Sequence, residues 1–270
     1  MLSWRKKRGR RKQGDAEHWL KEREYWSQRM ESWYRDKYSL ELDSIQDDPG
    51  QVPSLELITE IQRKGKAEPN TFLASGQRTV LEYLEELNDH GYDPRDFERI
   101  LDFGVGLGRL LRHYFPFPAE LHGCDVTEKV VNYSQGIYGQ RARIVQSRLT
   151  PPLPYEDQYF DYIYANSVFT HIQHDLLTDW IAELARVARP GACVIVTVYG
   201  TNRYLGHVPE REFDQRIRQQ GYLEWGTGHV KQNCLYATPG KLREWWGSHF
   251  EVLEYRPQFK DQDHLVMRRS

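Results

Sequence analysis

Two carboxylates flank a short glycine-rich segment near the middle of the chain. Asp102 precedes Gly104, Gly106 and Gly108 in the run ILDFGVGLGR, and Asp125 follows 17 residues beyond the last of these glycines. Glycines let the backbone turn tightly and allow a ligand to approach, because they carry no Cβ. In nucleoside-binding α/β folds, an acid about 20 residues beyond such a loop accepts hydrogen bonds from ribose hydroxyls. The pattern therefore predicts a site for a nucleoside-like ligand.

The spacing of the glycines separates this segment from two other nucleotide-binding motifs. A dinucleotide fingerprint has a glycine or alanine at the position of Arg109, and a P-loop has Lys followed by Ser or Thr after its last glycine. Arg109 therefore argues against an NAD-dependent oxidoreductase. Two acids beside the glycines instead favour a ligand that carries cationic groups and hydroxyls rather than phosphates.

Alternating strand and helix signals surround this segment. Predicted strands cover residues 99–103, 120–125, 142–145, 159–165 and 193–199. Predicted helices cover a stretch from Gly76 to about residue 88, residues 107–114, a stretch from about 128, and residues 175–188. The strand signals at 250–255 and 264–267 are separated by a turn too short for a crossover helix, so they predict an antiparallel hairpin. We expect an α/β fold with a doubly wound, mostly parallel seven-stranded sheet that ends in an antiparallel edge hairpin, preceded by an N-terminal helical extension.

Longer stretches carry a resemblance to a known family. The D-x-G-x-G-x-G pattern from Asp102 to Gly108 resembles motif I of class I S-adenosylmethionine-dependent methyltransferases, which are Rossmann-like. The segments TPPLPYEDQYFDYIYANSVFTHI and WIAELARVARPGACVIVTVYG resemble a group of that family often found with glycan and small-molecule tailoring enzymes. The resemblance covers about residues 70–270 and departs at Ala192 and Ser147.

The resemblance implies S-adenosylmethionine as cofactor. It places the ribose diol at Asp125, the adenine at Val126, and the methionine end along the segment from Asp102 through Gly104 to Gly106. The remaining predicted cofactor residues are Gly76, Ser147 and Asn166. Ser147 stands where Asn or Asp is expected near the adenine amino group, so the adenine contact stays open.

His171 is the candidate catalytic residue. It lies in Asn-Ser-Val-Phe-Thr-His at the carboxyl end of the fourth strand, and its pKa range suits a general base. A structural role, in packing or capping the next helix, is the alternative; His174 is expected to be exposed at the start of that helix. The N/D-P-P-Y/F tetrad of amino-methyltransferases is absent after this strand, and no acidic cluster there supports a metal.

We divide the chain into three parts, the last of which carries an insertion. Residues 1–16 form a basic tail expected to be disordered, residues 17–70 a helical extension with a linker at 43–53, and residues 71–270 the methyltransferase domain. Within it, residues 201–238 are an aromatic-rich insertion that we expect to overhang the acceptor, either as a binding surface or as a satellite core. The helix at 17–40 is interpreted as packed on the domain, with a lid over the active site as the alternative.

Composition narrows the functional class. The chain is 39% hydrophobic and 28% charged, and no apolar run is long enough to span a bilayer. Residues 5–12 carry seven Lys and Arg, so with a net charge of −2 the remainder stands at −9. We therefore expect nucleic acid to bind only through the tail. Three widely spaced cysteines are expected to be buried thiols, and neither a secretory leader nor a disulfide pattern is recognised, which favours the cytoplasm.

The sequence thus predicts a methyltransferase that acts on a small molecule, more specifically on an oxygen of a sugar or natural product. Two alternatives remain: a catalytically silent S-adenosylmethionine-binding protein, and a nucleic-acid or protein methyltransferase that uses the basic tail. The oligomeric state is left open.

Overall fold

The computed structural model describes residues 13–41, 52–62, 69–201, 208–226, 233–258 and 261–270. The chain divides into two compact units, Met1–Leu81 and Glu82–Ser270. The basic residues 5–12 and nearly all of the expected linker lie outside the described residues. Residues 13–16, which we assigned to the tail, instead begin the first helix.

The first unit is helical. It contains α1 (Gln13–Tyr38), α2 (Leu55–Gln62) and the first part of α3 (Pro69–Asp89). Ser27 of α1 accepts a hydrogen bond from Gln77 of α3 at 2.7 Å, so these two helices contact each other inside the unit. The expected face of α1 is largely covered: Met30 and Tyr34 are buried, and Trp19, Trp26 and Trp33 are half-buried. Our two interpretations of this helix, packing on the domain or covering the site, remain predictions.

The second unit is built on two sheets. The strands are β1 (Arg99–Phe103), β2 (Glu120–Asp125), β3 (Ala142–Gln146), β4 (Phe160–Ala165), β5 (Ala188–Val198), β6 (Tyr222–Trp225), β7 (Cys234–Ala237), β8 (Phe250–Arg256) and β9 (Asp263–Arg269). The helices, besides the end of α3, are α4 (Glu128–Tyr138), α5 (His174–Val187), α6 (Glu210–Gln220) and α7 (Pro239–Trp246). Among the described residues, no helix combines the length and apolar character needed to cross a membrane.

The main sheet has the order β3-β2-β1-β4-β5-β9-β8. The first five of these strands are parallel, and β9 is antiparallel to both β5 and β8. This arrangement confirms the predicted seven-stranded, mostly parallel sheet with an antiparallel hairpin at one edge. Because β1 lies between β2 and β4, the carboxyl ends of these three strands meet at the point where the strand order reverses, where open α/β sheets bind ligands.

Side chains of β4 alternate between the two faces of the sheet, as the two-residue strand period requires. Ile163 and Ala165 join the apolar core that includes Trp180 of α5 and Trp246 of α7. On the opposite face, Tyr164 lies 6.0 Å from the ring of Tyr83, near the end of α3. Both faces of the sheet are therefore covered, which explains the near-continuous apolar character of its central strands.

The predicted helix at 107–114 is wrong. The glycine segment is followed by turns and a short 3₁₀ helix, Leu111–Tyr114. Gly106 and Gly108 have φ values of +53° and +71°, in the left-handed region, so the backbone cannot enter a right-handed helix until both residues are passed. The apolar spacing of the segment reflects burial around these turns rather than one face of an α-helix.

Further differences lie downstream and at α3. Strand β5 begins at Ala188 instead of residue 193, and α3 begins at Pro69 instead of Gly76. The insertion contains α6 and the hairpin of β6 and β7, and α7 follows it; we predicted none of these elements. Short elements with mixed polarity give weak periodic signals, so the sequence did not predict the elements of this part of the chain.

Candidate active site

The glycine segment is bonded to the tip of β2. The N–H groups of Gly104 and Val105 both donate to the carbonyl of Cys124 at 2.9 Å. The Asp125 carboxylate accepts from the N–H of Gly106 at 3.2 Å and from the N–H of Thr127 at 2.8 Å. Asp125 is half-buried, and each of its oxygens keeps a further lone pair. The loop and this carboxylate therefore form one unit at the switch point of the sheet.

Asp102 lies beneath this loop. It is 2% exposed and accepts a hydrogen bond from the hydroxyl of Tyr164 at 3.1 Å. Burial raises the pKa of Asp102 to about 7, against the hydrogen bond from Tyr164 and the positive charge of Arg109, which lower it. A nearby cation would complete the charge balance of this carboxylate, because a buried anion is stable only when it is paired.

Gly104 occupies a position that tolerates no side chain. Its φ is +88°, and a Cβ there would lie 2.3 Å from Cγ2 of Val168. Val168 belongs to the segment that leaves the carboxyl end of β4, so this segment packs directly on the loop. A Cβ at Gly106 would meet only the carbonyl oxygen of Gly104, at 3.9 Å, which leaves space for a ligand above that residue.

Arg109 and Asn166 connect the loop to β4 a second time. The guanidinium of Arg109 donates to Oδ1 of Asn166 at 3.1 Å and also acts on the charge of Asp102. From the sequence, we used Arg109 only to exclude a dinucleotide motif and missed it as a site residue. A cation directly after the last glycine, in a site for a ligand that bears a carboxylate, is the signal that would have found it.

The other predicted cofactor residues fall in two places. The N–H of Ser147 donates to the carbonyl of Asp125 at 3.0 Å, and the carbonyl of Val126 accepts from Gln146 at 3.2 Å. Val126 is half-buried, whereas Ser147 is buried, so Val126 is the more accessible of the two. Gly76 lies on α3 in the first unit. The roles of all three remain predictions.

A polar trio that we did not predict lies next to this site. Ser167 has a left-handed φ of 60°, which is a strained conformation for a residue with a side chain. Its N–H donates to Oγ1 of Thr197 at 2.7 Å, and its hydroxyl donates to Oε1 of Gln262 at 3.0 Å. Strained residues held by several hydrogen bonds concentrate at functional sites, so this trio is a candidate for contact with an acceptor.

His171 lies one turn beyond Val168. Its N–H donates to the carbonyl of Val168 at 2.9 Å, and its ring nitrogen Nδ1 lies 2.6 Å from the carbonyl oxygen of Asn233. A carbonyl can only accept, so Nδ1 carries the hydrogen and the lone pair of the neutral ring is on Nε2. His171 is half-buried. The neutral ring thus carries its basic lone pair on Nε2.

His174 begins α5, as predicted, but it is not exposed. Its ring is half-buried and stacks on Tyr222 at 4.4 Å between centroids. Among the insertion's other aromatic residues, Phe213 and Tyr236 lie in a small satellite core, and Trp225 is exposed. Tyr204, His207 and His229 lie outside the described residues.

The three cysteines, Cys124, Cys193 and Cys234, are buried free thiols. In the described part of the chain, no three His, Cys, Asp or Glu side chains are grouped so that they could hold a metal ion.

The residues at the switch point fit S-adenosylmethionine. Asp125 offers acceptors to a ribose diol, and the buried Asp102 favours an ammonium group nearby. Arg109 offers donors to a carboxylate. The space above Gly106 allows the ligand to approach the backbone.

Residues 101–196 match the family model described as a methyltransferase domain. The matched stretch contains Asp102, the glycine segment and Asp125, so this part of the chain resembles a methyltransferase domain.

One curated relative is similar to part of the chain, and solved structures share its fold. The chain is 29% identical over 133 residues to Alpha N-terminal protein methyltransferase 1 of Caenorhabditis elegans, covering 47% of this chain and 54% of that protein. The chain thus spans about half the length of this curated relative. Magnesium protoporphyrin IX methyltransferase from Synechocystis PCC 6803, with bound S-adenosylhomocysteine, superimposes with a TM-score of 0.54 at 18% identity, over 80% of this chain and 94% of that one. A 1,6-didemethyltoxoflavin-N1-methyltransferase from Burkholderia thailandensis gives 0.54 at 16% identity, over 73% and 79%.

Proposed function

We propose that the protein transfers the methyl group of S-adenosylmethionine to an oxygen of a small-molecule acceptor, with His171 as general base. The observation that carries this proposal is the 2.6 Å contact between Nδ1 of His171 and the carbonyl of Asn233, which directs the basic nitrogen of the ring away from the hairpin. An alcohol acceptor benefits from such a base, whereas a neutral amine attacks through its own lone pair.

The placement of His171 relative to the glycine loop supports the same role. Val168 packs on Gly104, and His171 is bonded to the carbonyl of Val168. A group held one turn from the residue that covers the loop is suitably placed to serve an acceptor bound there.

The cofactor, when bound, supplies the reactive methyl group on a sulfonium. Asp125 would hold the ribose hydroxyls, and Arg109 and Asp102 would orient the amino-acid end. Asn166 would contact the cofactor, and Ser167 and Gln262 would offer hydrogen bonds to the acceptor. His171 would take the acceptor's proton at Nε2, and the protein's main contribution is alignment of the two reactants.

A sugar or natural product is the acceptor class that we favour. The segments at 150–172 and 180–200 resemble a group associated with such substrates, and the polar trio offers donors and acceptors to hydroxyl groups. We place the reaction in the cytoplasm, in line with three buried free thiols.

A second candidate function follows from the curated relative. Its name assigns it to the methylation of protein α-amino groups, and it is similar to about half of this chain. If this chain acts likewise, the acceptor is a peptide with a free N-terminus, and a general base is less important.

The test is a methyl-transfer screen with a radiolabelled donor, using hydroxylated small molecules and short peptides with free or acetylated N-termini. We expect turnover with a hydroxylated small molecule and a loss of at least about a hundredfold in kcat for His171→Gln. His174→Phe keeps a ring stacked on Tyr222 and serves as the control. Turnover confined to free-amine peptides, with His171→Gln nearly as active as the wild type, would establish the second candidate instead.

A further inference from the structure

The hairpin of β6 and β7 is bonded to the segments that leave β4 and β5. The N–H of Leu235 donates to the carbonyl of Thr170 at 3.0 Å, and the N–H of Ala237 donates to the carbonyl of Tyr199 at 3.0 Å. Tyr199 also forms a parallel bridge with Tyr236. The hairpin is therefore fixed to the carboxyl edge of the main sheet, next to His171.

The residue that precedes β7 controls the imidazole of His171. Because the carbonyl of Asn233 can only accept, it requires a hydrogen on Nδ1 and excludes the tautomer with its hydrogen on Nε2. A backbone carbonyl thus decides which ring nitrogen can take a proton. The position of that carbonyl depends on the residues that pack against Asn233 and bond to it.

Two residues of the hairpin confine Asn233, which is 2% exposed. A Cβ at Gly226 would lie 2.1 Å from Oδ1 of Asn233 and 2.7 Å from its Cα, so the two residues pack with no room for a side chain at 226. Glu224 accepts a hydrogen bond from Nδ2 of Asn233 at 3.5 Å and another from the N–H of His174 at 3.2 Å. Glu224 therefore links Asn233 to the first residue of α5, only three positions beyond His171.

We propose that Gly226 and Glu224 are positioning residues, which hold the Asn233 carbonyl against Nδ1 of His171 and thereby keep His171 in the tautomer that accepts a proton at Nε2. This inference rests on the proposed function, in which His171 is the general base. It assigns a specific task to the insertion: it orients the base, in addition to any contact with an acceptor.

The direct test is nitrogen-15 NMR of the protein labelled at histidine, at a pH where the His171 ring is neutral, with His171→Gln used to assign the signals. We expect the wild type to show hydrogen on Nδ1. In Gly226→Ala, the displaced carbonyl should give a mixture of both tautomers. The matched control is Gly240→Ala, because a Cβ at Gly240 meets only Oγ1 of Thr238, at 3.9 Å.

A second pair of variants keeps the proposal testable if Gly226→Ala fails to fold. Glu224→Gln retains an oxygen that accepts both hydrogen bonds and should preserve the tautomer, whereas Glu224→Leu should not. An unchanged tautomer in both Gly226→Ala and Glu224→Leu would overturn the inference.

Methyl-transfer kinetics separate the two proposals. Misplacement of a catalytic group by about 1 Å costs on the order of a hundredfold in rate, so we expect that loss in kcat, with little change in KM, for Gly226→Ala. If the tautomer shifts as expected while His171→Gln retains full activity, the positioning role stands and the role of His171 as base fails.

Discussion

The hydroxyl of Tyr164 donates to the Asp102 carboxylate at 3.1 Å, in a layer where both side chains are almost completely buried. Burial raises the pKa of Asp102 to about 7, above the value of 3.8 expected in the unfolded chain. Folding therefore favours the protonated acid. The contribution of this group to stability is complete below the unfolded pKa and is lost as the pH rises through 7.

Asp102→Asn should consequently remove a pH-dependent decrease in the free energy of unfolding. Between about pH 5.5 and about pH 8, ionisation of Asp102 should lower the free energy of unfolding by about 2 kcal/mol, and Asp102→Asn should abolish that decrease. Urea unfolding at the two pH values measures both quantities. Equal pH dependence in the two proteins would contradict the assignment. Tyr164→Phe, as a comparison, should destabilise the protein by about 1 kcal/mol, because it removes one hydrogen bond.

Two ligands, one with and one without the amino-acid group, should distinguish the residues that bind the ribose from those that bind the carboxylate. Asp125→Ala should weaken the binding of both S-adenosylhomocysteine and methylthioadenosine on the order of tenfold to a hundredfold, because both ligands carry the ribose diol. Arg109→Met should weaken only S-adenosylhomocysteine, since methylthioadenosine has no carboxylate. Isothermal titration calorimetry measures the affinity of the wild type and of each of the two variants for both ligands.

The control for this experiment is Glu128→Ala. Glu128 is an exposed acid in the first turn of α4, three residues from Asp125. Its loss should leave both affinities unchanged. Equal weakening of both ligands by Arg109→Met would place this guanidinium away from the carboxylate of the ligand.

The contact of Gly104 with Val168 predicts a partial rescue. Gly104→Ala should lower both stability and cofactor affinity, because its Cβ would meet Cγ2 of Val168 and because φ is +88° there. Val168→Ala removes the clashing methyl group, so the double variant should recover the steric part of the loss but not the backbone strain. A double-mutant cycle in thermal unfolding measures the coupling. Strict additivity of the two changes would show that the contact is absent.

Acid should destabilise the protein through His122. This side chain is fully buried on β2, with the rings of Tyr155, Tyr159 and Phe160 between 5.2 and 5.5 Å from its own. Burial lowers the pKa of His122 despite the neighbouring charge of Glu120, which raises it. The unfolded chain therefore binds the proton more readily, and stability is complete above about pH 6.5 and falls as the pH drops below it.

His122→Phe should flatten this decrease between about pH 7 and about pH 5, as measured by urea unfolding. Part of the slope should remain, because burial also lowers the pKa of His113. His18→Phe, at an exposed position of α1, is the control and should leave the slope unchanged. A slope that survives in His122→Phe at full size would assign acid sensitivity to other groups.

The central strands of the main sheet were predictable from sequence because they are short, largely buried runs that alternate with helices. The predicted bounds of β1 and β2 are confirmed to the residue. The turn after β1 was not predictable in the same way. Glycine at positions 106 and 108 is compatible with a helix or a turn, and the left-handed φ values that select the turn are visible only in the structure.

The candidate site divides along similar lines. Asp102 and Asp125 lie near the carboxyl ends of β1 and β2, and the glycines follow β1, so their proximity follows from the parallel pairing of these strands. The partner of His171 left no trace in the sequence, because Asn233 acts through its backbone carbonyl, which every residue possesses. Arg109 is visible in the sequence as a cation after the last glycine, but it indicates a binding residue only if the ligand carries a carboxylate.

The position of β9 has a consequence for synthesis of the protein. This strand follows β8 in the chain but is inserted between β5 and β8 in the sheet. Until β9 has emerged from the ribosome, the apolar edge of β5 has no partner on that side, and open strand edges promote association between nascent chains. The sheet is thus completed only after β9 has been synthesised, and ribosome-bound intermediates that end before β9 should depend most on chaperones.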